Sequence, residues 1–521
     1  MKLKPATLRI FTSLHSWMGL LAGLALFVAF YAGAITVFQQ PLQQWATPHV
    51  ATTGSMSDMQ RLLDEVLARH PEARTHLGMT FPGYMLRGPS AYWQDSHSTW
   101  QFATLDNLAG SPERPGAGLP ELINALHFSL GLPGNIGMYL MGIVSLLYGI
   151  ALVSGVIIHL PRLLKDLFAL RPGRNLKRFW QDAHNAIGVL SLPFHAMFAV
   201  TGAMLCLSVV LMLAIGPLAW QGKLLAASAP AMNTAPTVQP SGIAAPLAPV
   251  SSWAAQAAAV ARKQGLDDFA PQYLKLAHAG DAHATVEITG AVPHMLAAGT
   301  LALDASSGAV IANQLPGHRD ANHATLAWAY ALHFGDYGNA AVQWLYFLLG
   351  LGGAFLFYSG NLLWIESRRR RRQGEQRRSA YVMARATVGV CIGVCVAISA
   401  TAIAAQLLPR SGWNVDAGEH WVCFFGWTLC LLWACVRAPI QAARELLWLA
   451  AIVTTLVPAA HGFATGWWFW RSAAAGHTAL AAIDLGALAL AVGFAALARA
   501  TSRRAQTGEA NSVWALPRAA T

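Results

Sequence analysis

Eight runs of roughly twenty predominantly apolar residues constrain this chain more than anything else in it, lying near 13–38, 136–160, 185–213, 339–365, 381–407, 420–436, 446–464 and 477–499. A helix of that length crosses the hydrocarbon layer of a bilayer, and each of its backbone groups is satisfied internally. With 521 residues, 55% of them hydrophobic and only 11% charged, the chain has no soluble interior large enough to hide so much apolar surface. The expected fold class is an all-α polytopic membrane protein with about eight transmembrane helices, partnered by the lipid bilayer. The formal charge of +11 does not point to nucleic acid, because the lysines and arginines concentrate in short loops between spans. Residues 161–182 hold Arg162, Lys165, Arg171, Arg174, Lys177 and Arg178, and residues 366–378 hold Arg368 to Arg372, Arg377 and Arg378. With Lys2, Lys4 and Arg9 these read as cytoplasmic topology signals, so both termini are expected inside a bacterial inner membrane.

A cleaved leader competes for the first span, since Ala32-Gly33-Ala34 imitates a cleavage site. The apolar run continues to Phe38, which favours a retained anchor. All six cysteines (Cys206, Cys391, Cys395, Cys423, Cys430 and Cys435) fall in apolar segments, without disulfide or zinc spacing, and read as small core residues. The expected division is helix 1 within 1–40, an extracytoplasmic segment at 41–125, helices 2 and 3 with a basic loop in 126–217, and a second extracytoplasmic segment at 218–332. Helix 4 follows in 333–366, then a basic loop at 367–380, a four-helix block at 381–500 and a tail at 501–521.

Each extracytoplasmic segment reads as a small α+β module. In the first, Met59, Leu62, Leu63, Val66 and Leu67 form a helical stripe over Ser57–Arg69 behind the candidate caps Ser55 and Ser57, and Trp100–Leu105 reads as a strand. The second opens with an Ala/Pro linker at 226–249, then a helix near 251–264, strands near 273–277, 284–289 and 299–304, and a turn at Asp304–Gly308.

Four histidines recur at the mouths of spans: His15, His127, His184 and His333. Glycine follows each of the first three by four residues (Gly19, Gly131, Gly188), and Gly335 and Gly338 follow the last. Ala125-Leu-His-Phe128 repeats as Ala331-Leu-His-Phe334, and span one resembles span three, so the first four spans read as a duplicated hairpin. Imidazole is costly in lipid unless it has a partner, and a small residue one turn away leaves room for a planar cofactor, for which haem is the candidate. Charge bias sorts the four into an inner pair, His15 with His184, and an outer pair, His127 with His333. Two pairs on opposite sides suit two bis-histidine b-type haems in a four-helix bundle. His159, at the inner end of span two, competes with His15 or His184. His195, eleven residues after His184 and on the same face of a continuous helix, is an alternative ligand or a relay. Arg162, Lys177 and Arg178 stand where cytoplasmic propionates would lie, though topology charges are the simpler reading. His420, His461 and His477 read as surface or interface histidines. Gly350-Leu-Gly-Gly353 lies inside a span with no strand before it, so it reads as close packing rather than a nucleotide loop.

Leu14-His-Ser-Trp-Met-Gly19, Ser154-Gly-Val-Ile-Ile-His159, Asp182-Ala-His-Asn185, Leu192-Pro-Phe-His195 and Trp344-Leu-Tyr-Phe347 resemble the PepSY-associated transmembrane helix family over roughly residues 10–370. The turn at Asp304–Gly308 is similar to the one closing a PepSY repeat. The resemblance implies PepSY-like extracytoplasmic modules and an inner-membrane ferrisiderophore reductase that carries two haems and passes electrons outward. It implies a periplasmic ferric siderophore or other chelate as acceptor, with quinol or a cytoplasmic reductase as donor. Ser16 departs from the arginine that many relatives carry after the first histidine. Two other classes compete: an envelope sensor or assembly protein acting through its PepSY-like modules, and a siderophore or metal transporter. The scarcity of acidic residues within the spans, Asp484 being one of few, weighs against a cation path.

Overall fold

The computed structural model describes residues 4–46, 54–84, 88–112, 118–160, 176–221, 223, 232–292, 295–335, 337–370, 376–507 and 511–516. The first half of the duplicated region runs α1 (Pro5–Thr36), α2 (Gln39–Ala46), α3 (Met56–Arg69), β1 (His76–Thr80), β2 (Ala91–Gln94), β3 (Trp100–Thr104), β4 (Asn107–Ser111), α4 (Leu119–Ser129) and α5 (Gly134–His159). The second half repeats that order with α6 (Leu176–Leu190), α7 (Leu192–Trp220), α8 (Val250–Lys263), β5 (Ala270–Ala277), β6 (Thr285–Ala291), β7 (Gly299–Asp304), β8 (Val310–Gln314), α9 (Ala321–Phe334) and α10 (Ala340–Ser367). The last block is α11 (Arg378–Thr387), continued through a π-turn at Val388–Ile392 into α12 (Gly393–Leu407), then α13 (Val415–Val436), α14 (Pro439–Thr465), α15 (Phe469–Ala474) and α16 (Thr478–Thr507). These elements form two compact units: residues 1–48, 118–208 and 345–521 make one, and residues 49–117 and 209–344 the other.

The first unit is the membrane body. Among the described residues seven helices are long and apolar enough to cross a bilayer, and the bent pair α6–α7 makes an eighth span if taken as one. The bend changes one expectation. Trp180–Leu190 and Leu192–Ser208 diverge by 71°, so His184 and His195 do not share the face of one straight helix. Pro193 supplies the cause, because it has no N–H to donate and its ring collides with the carbonyl four residues back. Just before the bend the Ile187 carbonyl accepts from both the N–H and the hydroxyl of Ser191, the latter at 2.5 Å.

Small residues set the helix spacing. A Cβ on Gly350 would stand 2.9 Å from the Cβ of Ala34, and one on Gly353 would strike the ring of Phe30, so this glycine run lets α10 lie directly against α1. The packing reading of that run holds. Cys391, Cys395, Cys423 and Cys430 are buried in the core of this unit, and every cysteine is a free thiol.

In the second unit both segments contribute to a single eight-stranded antiparallel sheet, ordered β4-β3-β2-β1-β5-β6-β7-β8. Each half has the helix and strands of the expected α+β module, but the halves are not separate. Their first strands pair with each other, Leu77 opposite Leu276 and Met79 opposite Leu274, which closes two edges that would otherwise be open. On one face α3 and α8 lie together over the sheet, burying Met59, Leu62, Leu63 and Val66 beside Trp253, Ala257, Leu274 and Ile288. Ser55 caps α3 through a capping box with Asp58. The described part of the Ala/Pro stretch, residues 232–249, is tied to the sheet: the Asp281 carboxylate accepts from the N–H groups of Ser241 and Gly242, and Glu287 accepts from that of Ala235. The predicted turn is present, with the Asp304 carboxylate accepting from the N–H groups of Ser306 and Ser307.

Candidate functional site

Three of the four sequence-predicted ligand histidines share one local construction. His15 Nδ1 lies 2.7 Å from the carbonyl of Ala151, His127 Nδ1 lies 2.7 Å from that of Ala29, and His184 Nδ1 lies 3.1 Å from that of Leu356. A carbonyl can only accept, so the proton belongs on Nδ1 and the lone pair on Nε2. That tautomer is the one a metal-binding imidazole needs, and the carbonyl fixes the ring's orientation. In each case a glycine sits four residues after the accepting carbonyl, where the ring passes. A Cβ on Gly155 would come within 3.0 Å of His15 Cε1, one on Gly360 within 3.4 Å of His184 Cε1, and one on Gly33 within 2.6 Å of His127 Nδ1. The glycines that matter for seating these rings are therefore on the neighbouring helix. Ser359 Oγ adds a second contact to His184 Nδ1 at 3.1 Å.

His15 and His184 are brought together. Their ring centres are 6.2 Å apart, with planes at 81°. Two metal–imidazole bonds of about 2 Å each, with about 1 Å from nitrogen to ring centre on either side, require a separation of about 6 Å. Both rings line a cavity of about 400 Å³ with His159, Tyr148, Gly155 and Gly360, all belonging to the membrane unit. The Asn361 Nδ2 and Trp364 Nε1 atoms, buried on the same cavity wall, have no hydrogen-bond partner. A cavity with two convergent imidazoles and unsatisfied donors fits a planar, metal-centred ligand with acceptor groups. Haem meets that description.

The other histidines fall elsewhere. His159 lines the cavity at the C-terminal end of α5 and so remains a neighbour of the His15–His184 pair. His195 is 0% exposed but does not line it. Its Nδ1 meets the Tyr148 hydroxyl at 2.5 Å, and it packs among Phe30, Phe194 and Phe357. A hydroxyl can donate or accept, so this bond does not fix the ring's tautomer as a carbonyl does. His127 sits on α4, outside the membrane-spanning helices, where burial lowers its pKa and the bond to Ala29 partly restores it; the net effect favours the neutral ring. His333 belongs to the second unit, near the C-terminal end of α9.

Of the expected propionate cations, Arg162 lies outside the described residues, as does the side chain of Lys177, and Arg178 is exposed. Tyr148 and Arg368 line the cavity instead, and neither was expected there. Tyr148 had only the general signal of an aromatic in a span, and Arg368 was hidden in a run of arginines.

His461 takes the interface rather than the surface place expected of it. It and Asp484 are both 0% exposed, with Nδ1 3.0 Å from Oδ2 of the carboxylate. Trp45 Nε1 donates to the other oxygen at 2.9 Å, and Gln406 donates to the Trp45 carbonyl. This network ties α2 to the last helical block. His420 and His477 fit the default reading: His420 bonds the Asp416 carbonyl in its own helix, and exposed His477 lies edge-on to Trp467.

Two comparisons bear on identity. An uncharacterized protein of Pseudomonas aeruginosa is 28% identical over 301 residues, which make up 56% of this chain and 73% of that one. The model of the PepSY-associated TM region matches residues 12–367, both halves of the duplication together. The chain is a membrane protein of the PepSY-associated TM region family.

Proposed function

We propose that this protein is a di-haem b-type oxidoreductase of the bacterial inner membrane that carries electrons to a periplasmic acceptor, ferric iron held in a siderophore or another chelate. The observation that supports it most is the His15–His184 pair, two rings 6.2 Å apart with each Nδ1 tied to a carbonyl in one cavity. Haem bound there supplies one-electron chemistry, its iron alternating between ferric and ferrous.

The residues' own part is orientation and exclusion. The carbonyls of Ala151 and Leu356 hold Nε2 of each ring as the ligating atom, and Gly155 and Gly360 leave the rings room. Leu20, Leu152 and Val189 give the cavity an apolar lining. His159 lies close enough to serve as a further polar contact there. A second, outer haem on His127 and His333 is carried by the sequence repeat, with the carbonyl-tied ring of His127 as its structural support. The positive loops favour a cytoplasmic position for the His15 end, and an extracytoplasmic one for the strand-bearing segments would let them present the acceptor. Quinol gives two electrons and two protons on oxidation, and each electron delivered converts one ferric ion to ferrous. The ferrous ion is held far less tightly by hard oxygen donors, so reduction releases it. A cytoplasmic reductase is the other donor class.

The absorption spectrum of the purified full-length protein tests this. A b-type spectrum is expected, diminished by His15→Ala with His184→Ala and by His127→Ala with His333→Ala. Stopped-flow mixing of the reduced protein with a ferric chelate should reoxidise it, and a colourless protein overturns the proposal.

A further inference from the structure

Three hydrogen-bond donors stand in a row on the cavity wall made by α10 and the residue after it: Asn361, Trp364 and Arg368. The spacing i, i+3, i+7 puts them on one helix face. Among the described residues none of the three meets an anion. Asn361 is 2% exposed, and its Nδ2 is unpartnered, as is Trp364 Nε1. The Arg368 guanidinium lies 4.1 Å over the Trp364 ring, donates to the hydroxyl of Ser367 next to it, and among the described residues meets no carboxylate. Arg369 beside it behaves differently, pairing with Glu366 at 3.6 Å. Among the described residues no aspartate or glutamate lines the cavity, and a ligand that brings an anion would satisfy this row.

The row also has a direction. It begins one residue after Gly360, whose missing Cβ makes room for His184, and runs about 10 Å along the helix away from that ring. We infer that Asn361, Trp364 and Arg368 form a carboxylate-binding wall that takes the propionates of the haem seated between His15 and His184. The inference rests on the haem reading above. Arg368 offers a forked cation suited to a carboxylate and is held in plane by the indole beneath it. Trp364 and Asn361 then each give one N–H to the same anionic edge. The wall orients the haem in its slot and neutralises charge that would otherwise favour ferric iron.

Redox titration of the full-length protein, followed optically, tests the assignment. Arg368→Gln should shift one haem about tenfold toward ferric at fixed potential, a fall of about 59 mV for one electron, while Arg368→Lys retains most of the wild-type value. Trp364→Phe, which keeps the ring and removes the donor, should move the same haem in the same direction by less. Arg368→Gln with both haems bound at wild-type potentials overturns the inference. Should that variant fail to accumulate, an unshifted Trp364→Phe overturns it equally. A wild-type protein without haem removes the underlying reading instead, so the two failures are distinguishable. Loading with haem dimethyl ester separates propionate from an anionic lipid phosphate. Wild type should bind the ester about tenfold more weakly than haem, and Arg368→Gln should discriminate less. Equal binding of haem and ester by wild type assigns the donors to lipid and overturns the inference.

Discussion

At the scale of residues, this protein separates each carbonyl-tied imidazole from the space it needs. Each ring enters from one helix while the glycine that admits it belongs to another, so the rings can be tested without touching them. Gly155→Val or Gly360→Val drives a branched side chain into His15 or His184, and Gly33→Val does the same to His127. Each of the first two should lower the haem content by about half, the signature of losing one of two sites. Gly33→Val should remove the other. Haem per polypeptide, measured after extraction, gives the result, and a Gly155→Val protein with full haem would show that His15 does not ligate. The carbonyl bonds explain why position alone could not rank the histidines. His195 shares the hydrophobic setting of His184, but its Nδ1 faces a hydroxyl, and only the folded chain reveals that difference.

At the scale of elements, what was legible depended on whether the signal was local. Apolar length located the spans, and the α3 stripe with Ser55 as its cap located that helix to within a residue or so. Strands β5, β6 and β7 stood out through alternation and the Asp304 turn, whereas β1 escaped notice because Gly78 interrupts its pattern. The ring of Tyr92 occupies the place where a Cβ would be at that glycine. The bend before Pro193 was hidden by an apolar run that looks continuous in sequence. Arg368 was hidden by its neighbours, since a run of arginines at a helix end reads as topology whatever one member touches.

Acid sensitivity belongs to this scale as well. The N–H groups of His283 and Ser241 hold the Asp281 carboxyl well below the usual carboxylate range, and the N–H and hydroxyl groups of Ser307 and Ser306 lower the pKa of Asp304. Burial, with the nearby charges of His278 and Lys275, lowers the His76 pKa. A carboxylate with a depressed folded pKa stabilises the fold above its unfolded value of about 4 and loses that contribution as pH falls. A histidine with a depressed pKa acts in the same direction from about 6.5 downward, because the unfolded chain takes the proton first. The strand-bearing unit should therefore weaken in two stages on acidification. Hydrogen exchange at the Ser241 and His283 amides follows it, His76→Gln should erase the upper stage, and an unchanged profile in that variant would refute the assignment.

At the scale of the whole molecule, the duplication visible in the histidine repeat extends to the inserts, since α1 to α5 and α6 to α10 each contain a helix-and-four-strand insert between membrane segments. The inserts are halves of one sheet, which makes a simple deletion test of the sensor hypothesis misleading. Removing 54–112 would strip α3 from the shared core and leave β5 with an open edge. The expected result is an aggregation-prone protein rather than a clean loss of one module. Size-exclusion profiles of that deletion and of its counterpart lacking 250–314 should deteriorate alike, and a well-behaved monomer from either would show the halves to be independent.

The β1–β5 pairing also sets a timetable. A ribosome delivers Thr80, the end of β1, some 190 residues before Ala270, the start of β5. At an elongation rate of about 5–20 residues per second that is a wait on the order of ten to forty seconds. Throughout it the first half-sheet must remain on its own side of the bilayer with its central edge uncovered, while α5, α6 and α7 are threaded. The chain is thus exposed to mispairing with another nascent copy at a definite moment in its synthesis. That interval, rather than the finished fold, is where a holdase would protect it.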